Sequence, residues 1–431
     1  MTLEDKTMNA PITNLKTAAE TELARLFAAA KPASLETLRT DAFRRFDAAG
    51  LPHRRVEAWH YTDLRAMMRN AAPLAPAPSI DQSPCPWSLV NDEAEFHFVD
   101  GRLFGTPPLP KGVSFTSLAD NAEKVAGSLN RGVDLSGDVV TSLNTAFMTD
   151  ALLIEIAAGA QVSRPLTLAF ETTGATASFG RVVILVGEGA SVSLIETHRG
   201  SAGAAAQENT VVEFSLGTGA RVEHVRVNAA DKTAQTLSTV AASVAQDASY
   251  NTLSFTTGAA LSRHQIFTRV HGDDAKLGVR GVTLLRGTQH ADITLVTEHD
   301  ALNGEGRKLF KTIVDDEARG VFQGKIIVKP HAQKTDGKMA SNTLLLGEHA
   351  SMHAKPELEI FADDVVCGHG ATVGALDDEL LFYLMSRGIG RKEAEGLMIM
   401  AFAGDALEHI SNEDLRNALV GLTSDWLKER A

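Results

Sequence analysis

Gly189-Ala190-Ser191-Val192-Ser193-Leu194 is the stretch on which the fold turns. A small turn mark, Gly-Ala, is followed by a short run with Val192 and Leu194 on one side, the two-residue alternation of a strand. The same mark stands thirty residues earlier at Gly159-Ala160 and thirty later at Gly219-Ala220. Leu166, Leu168 and Phe170 alternate after the first of these, and Val225 and Val227 after the second. Asp247-Ala248 and Asp274-Ala275 follow at intervals of 28 and 27. His290-Ala291, Glu317-Ala318, His349-Ala350 and Gly370-Ala371 extend the series less regularly. A period near thirty residues with β-type alternation predicts a solenoid, in which each coil holds two or more short strands and inward Val, Leu and Ile stack along the axis. Parallel crossovers make such winding right-handed. A β-sandwich is the alternative, with strands recurring about every 8–12 residues. A hexapeptide-type β-helix does not fit, because there is no strict six-residue repeat.

Both flanks read as helix. Residues 15–30 and 34–49 are rich in helix formers, with Ser34 as a candidate N-cap and Leu35, Leu38, Ala42 and Phe46 on one face. Gly50 and Pro52 stop the second helix, and a short third follows Tyr61. Pro73, Pro76, Pro78, Pro84 and Pro86 mark an extended linker, with Cys85 inside it. After the repeats, Asp377 or Asp378 caps a helix that ends near Ser386 and Gly388. Two more follow, about Arg391–Phe402 and from Ser411. The former, a Met-rich helix, reads more readily as core than as a docking face, although Met398 and Met400 lie on different sides of it, so one could face a partner. The expected organisation is a helical region with its proline-rich linker over 1–87, a mixed connection over 88–150, the β-helix over 151–375 and a helical domain over 376–431. The fold class is mainly β: a right-handed parallel β-helix core between N-terminal and C-terminal α-helical domains.

Composition sets limits. The chain has 431 residues, 44% apolar and 22% charged, with a net charge of −13. That size suits several domains or one long solenoid with flanking units. The acidic balance argues against a nucleic-acid platform and against docking on anionic membranes. The most apolar short run, Val182–Val186, is far too short to span a bilayer. Met1–Ala10 has no apolar signal core, and two cysteines, Cys85 and Cys367, point to a reducing cytoplasm.

No G-x-x-x-x-G-K-[ST] loop is present, so the chain has no ATP site of its own. C-x-x-C, H-E-x-x-H, EF-hand and G-x-S-x-G patterns are absent too. What remains is Val365-Val366-Cys367-Gly368-His369-Gly370-Ala371-Thr372. Cys367 and His369 are two apart, so on a strand they share a face, and thiolate plus imidazole suits iron or zinc. Two ligands do not complete a tetrahedral site. Either another chain supplies the rest, or Cys367 is a small packing group and His369 a turn residue. His331, His349 and His353 could approach if coils stack, but they read more readily as surface or turn residues. Asp363-Asp364 reads more readily as a solvated coil edge than as part of a metal site.

Ala332-Gln333-Lys334-Thr335-Asp336-Gly337, Asn342-Thr343-Leu344-Leu345-Leu346 and Lys355-Pro356-Glu357-Leu358-Glu359-Ile360 with Ala362-Asp363-Asp364-Val365 resemble the SufB/SufD family. Cys367 through Gly374, Leu381-Phe382-Tyr383-Leu384 and Ser386-Arg387-Gly388-Ile389 resemble its SufD side. Glu57-Ala58-Trp59-His60-Tyr61-Thr62-Asp63-Leu64 is similar to the family's E-x-W-x-Y-T-D-L box. The resemblance covers about 320–402 and that box. It implies a parallel β-helix that pairs with a SufB-like paralogue and binds the SufC-like ATPase through its C-terminal helices. It implies a non-catalytic scaffold, with a transient iron–sulfur cluster or iron held where the two β-helices meet. His369 matches the family's ligand histidine and Cys367 the motif cysteine, as a second ligand or a packing group. Gly368 departs from the small polar residue common at its position. A flavin on the assembled complex and a homodimer of the isolated chain stay open. The competing classes are a β-helix polysaccharide lyase or hydrolase, which needs clustered carboxylates on one coil face, and a purely structural homodimeric solenoid.

Overall fold

The computed structural model describes residues 15–30, 34–76 and 87–430. Pro78, Pro84, Cys85 and Pro86 lie outside the described residues. The described residues form a parallel β-solenoid of about eight coils with helices at both chain ends. Successive strands alternate between two sheets. The ten-stranded first sheet ends on Val366–Gly374, and the nine-stranded second sheet ends on Ser351–Ile360. Pairing is parallel apart from Arg102–Leu103 and Val113–Ser117, which add antiparallel at the N-terminal end. The first sheet already includes Ala94–Val99, which pairs with Leu166–Thr172.

One corner of each coil needs a left-handed residue, and its occupants are Gly159, Gly189, Gly219, Asp247, Asp274, Asn303 and Lys334, all with φ between 56° and 70°. Gly, Asp and Asn tolerate that conformation best. The sequence series therefore holds as far as Asp274 and then leaves this corner. Glu317-Ala318 and His349-Ala350 mark the opposite corner, ahead of Arg319–Val328 and Ser351–Ile360. His290-Ala291 opens the strand His290–His299, and Gly370-Ala371 lies within a strand. The reason is the residue after the turn: a buried Ala at 190, 220, 248 and 275 becomes Gly304 and Thr335 in the later coils, which erases the mark.

Between the sheets runs a single apolar core from Ala94 to Ala362. It is interrupted by charge. Glu196, His198, Glu208, His224 and Arg226 are all buried. His198 joins two carboxylates, with Nε2 2.6 Å from Glu196 and Nδ1 2.7 Å from Glu208. His224 Nε2 is 3.0 Å from the other Glu196 oxygen, and Arg226 Nε lies 3.2 Å from Glu196. Burial pushes the Glu196 carboxyl up, but the two imidazoles outweigh it and hold it well below the usual carboxylate range. Burial likewise lowers His198, and the Glu208 charge with hydrogen bonds to both carboxylates leaves it raised overall.

The outer faces are covered by helices. Val139–Phe147 lies on the second sheet, and Glu36–Ala49 packs on it. Arg391–Leu407 and Glu413–Lys428 cover the first sheet with Ile399, Ala403, Leu407, Leu415 and Trp426. Asp377 caps Asp378–Ser386, and Gly388 ends it at φ 87°. Ser34 is not an N-cap. Leu35 enters the helix left-handed at φ 58° without a side-chain bond, and the Ser34 carbonyl instead accepts from Arg39 Nε at 3.1 Å.

The Glu57–Leu64 box is a clip on the second sheet. The Arg263 guanidinium stacks 3.8 Å from the Trp59 ring centre, donates to the Ala58 carbonyl at 2.7 Å and pairs with buried Asp292. Thr62 donates its hydroxyl to the same carboxylate and meets His290 Nε2 at 2.9 Å. Thr62→Val keeps the shape and removes that donor. It should cost about 1–3 kcal/mol and speed proteolytic cleavage of the N-terminal segment. An unchanged melting temperature would show that the carboxylate is satisfied without it.

Candidate half-site on the terminal coil

Val366–Gly374 is paired on one side only, with Asp336–Leu345. Along the ladder, Cys367 stands in the row of Gly337, Gly306, Leu277, Tyr250 and Val222. The last three are buried in the central core. His369 stands two positions on, in the row of Met339, Lys308, Val279, Thr252 and His224. Both residues therefore occupy inward rows. No further coil covers them, so Cys367 is half-buried against the core and His369 is exposed.

Burial pushes the Cys367 thiol up, and a backbone hydrogen bond with Gly337 and the nearby Lys308 partly offset this. Lys308 is itself enclosed, which brings its amine down to about 7. His299, in an inward row of the second sheet between Val270 and Val328, is pushed down to about 3 by burial and by Lys308. Sequence reasoning passed over both residues. The signal was the alternation Gly306-x-Lys308-x-Phe310, in which an amine occupies a core position.

The other candidates do not converge on this pair. His331 is exposed on a corner, 2.9 Å from the Asp300 carboxylate. His349 is exposed in the turn before Ser351–Ile360, and His353 stacks on Tyr61 at 5.0 Å on the outer face. Asp364 pairs with Lys334 at a corner, and its N–H donates to Gln333 at 2.9 Å. Among the described residues no group of three or more His, Cys, Asp or Glu is arranged to hold a metal ion. Met398 and Met400 are both half-buried, and the exposed large apolar residue of that helix is Leu397.

The rim of the open coil is apolar and bare. Phe361 and Val366 are 60% and 62% exposed, and Phe382 on the helix that follows is 73% exposed. Unpaired edges on both sheets with such a rim form a surface on which another chain can add strands. No helix among the described residues is long and apolar enough to cross a membrane.

Comparison with known proteins gives the same direction. Residues 169–402 match the family described as "SUF system FeS cluster assembly, SufBD core domain", and residues 20–72 match "SufBD protein N-terminal region". The chain is 30% identical over 381 residues to the iron–sulfur cluster assembly protein SufD of Escherichia coli K12, covering 86% of this chain and 88% of that one. It is 31% identical over 394 residues to an iron–sulfur cluster assembly SufBD family protein of Synechocystis, covering 86% of each. With SufD of Bacillus subtilis it shares 25% identity over 417 residues, covering 92% of this chain and 95% of that one.

Proposed function

This chain belongs to the SufBD family of the SUF iron–sulfur cluster assembly system, on its SufD side, and we propose that it works there as a non-catalytic scaffold. In this reading its terminal coil pairs with a SufB-like paralogue. His369, with Cys367 beside it, then supplies part of the ligand set for iron or a nascent cluster, which is cargo and not a resident cofactor. One observation carries the reading: a thiol and an imidazole on inward rows of a coil whose two sheet edges are unpaired. A half-set on an open end gains its missing ligands only when a second chain closes over it. The bare edges would also accept a second copy of this chain when no paralogue is present.

The scaffold carries no phosphate-binding loop, so any driven opening of the joint requires an ATPase from outside the chain. The C-terminal helices are the proposed dock for the SufC-like subunit. They lie on the first sheet, and Leu397 stays exposed. Nucleotide binding there would shift how the two solenoids meet. A flavin on the complex belongs to the same proposal, with no residue of this chain assigned to it.

The test is anaerobic reconstitution with ferrous iron and sulfide in the presence of the SufB-like and SufC-like chains. His369→Ala should lower cluster yield by at least about tenfold while co-purification of the three chains persists, because the side chain is exposed and supports no packing. Equal yield would reduce His369 to architecture.

A further inference from the structure

Behind the Cys367 thiol lies a group of buried polar atoms that the assembly reading leaves unused. Lys308 is 3% exposed, and its Nζ has no hydrogen-bond partner among the described residues. His299 is fully buried, and neither of its ring nitrogens has one. The two meet over Gly306, where a methyl group would collide with Lys308 Nζ and stand 3.1 Å from His299 Nε2. The next rung is Gly337, where a methyl group would stand 3.3 Å from Cys367 Sγ. Glycine on two adjacent rungs leaves the room that amine, imidazole and thiol share.

Three unsatisfied nitrogens side by side in a core are costly, and a native fold keeps such groups where something else meets them. The chemistry selects what that is. Lys308 Nζ offers N–H donors whether charged or neutral, and its charged form repels a divalent cation, so this inner side favours an anion. It suits a small soft anion that hydrogen-bonds to nitrogen donors and bonds to a thiol sulfur, which is reduced sulfur. The open coil gives such a species a way in, because Cys367 is half-exposed at its mouth.

We propose that Cys367 is a sulfur-accepting residue, with Lys308 and His299 as the positioning groups that hold the sulfur it receives. This rests on the assembly reading and adds the second ingredient of a cluster to the iron assigned to His369. The Cys367 thiolate attacks the outer sulfur of a persulfide donor. A new S–S bond forms at Cys367 as the donor's S–S bond breaks. The donor leaves as a thiolate and takes up the proton that Cys367 gave up. One thiol and one persulfide become one persulfide and one thiol, with no net oxidation. Lys308 Nζ donates a hydrogen bond to the terminal sulfur, and His299 closes the inner side.

The experiment treats the full chain with glutathione persulfide without oxygen, removes the reagent, and alkylates and maps both cysteines by peptide mass spectrometry over time. Cys85 is the internal comparator. Cys367 should gain one sulfur and keep it at least about tenfold longer than Cys85, the factor expected of one hydrogen bond to a charged group. Lys308→Met should bring retention down to the Cys85 level while the protein melts no lower than wild type. His299→Phe, of similar shape, should shorten retention independently. An unlabelled Cys367, or retention unchanged in both variants, overturns the proposal. If labelling fails while His369→Ala still lowers cluster yield, the sulfur site is wrong and the assembly reading stands. If sulfur is retained while His369→Ala has no effect, the assembly reading is what falls.

Discussion

Glu196→Ala should destabilise the solenoid by about 3–5 kcal/mol, the range for removing one partner from a buried ion pair. Glu196 is the acceptor that holds His198, His224 and Arg226 together inside the core. Without it, an imidazolium and a guanidinium remain enclosed with one carboxylate, Glu208, between them. Arg226 keeps only the ion pair at 3.2 Å to Glu196, with no well-formed hydrogen bond among the described residues. Glu188 sits on an exposed corner of a neighbouring turn, and Glu188→Ala should stay within about 0.5 kcal/mol. Urea midpoints of the two variants make the comparison, and equal midpoints would mean that solvent reaches the network.

The pH dependence of that difference has a definite sign. His198 is raised above its ordinary 6.5, so its share of the stability is full below that pH and is lost as pH climbs through the folded value. Glu196 is depressed below 4.5, so its share is present above that pH and is lost on acidification. The gap between wild type and Glu196→Ala should therefore be widest between pH 4.5 and 6.5 and shrink on either side. Buried His264, held well below 6.5 chiefly by burial, costs both proteins stability as pH falls below 6.5.

Lys308→Met should move stability the other way. The amine falls from 10.5 to about 7 because it is enclosed with no hydrogen-bond partner among the described residues. Between those values the unfolded chain binds the proton and the folded chain does not, so wild-type stability rises with pH across the window. Below it the full penalty applies, about 5 kcal/mol for a shift of that size. Methionine fills much of the same volume without the charge. The variant should gain roughly 3–5 kcal/mol at pH 7 and lose most of the rise between pH 7 and 10. A loss of stability at pH 7 would show that the amine is satisfied in solution. A gain in stability with a loss of sulfur retention is the pattern of a group kept for binding.

The coil architecture was legible in residues 159–275 because its causes are local. A left-handed turn every thirty residues or so selects Gly or Asp, and a strand between two faces alternates. The caps at Asp377 and Gly388 and the C-x-H spacing are local in the same sense. The later coils were harder to place, since Asn303-Gly304 and Lys334-Thr335 meet the same backbone demand with different side chains. The charged core was not legible at all. In Leu194-Ile195-Glu196-Thr197-His198, the outward Ile195 is buried beneath the C-terminal helices while Glu196 and His198 point inward. Alternation tells faces apart only when one of them meets water, and here neither does. Chain chemistry thus specified the repeat, the helical ends and the paired thiol and imidazole. Folding specified which coil is last, and hence that His369 is open and that Lys308 and His299 are shut in behind Cys367. Those facts depend on residues tens of positions apart becoming neighbours across a ladder, a relation that no local pattern encodes.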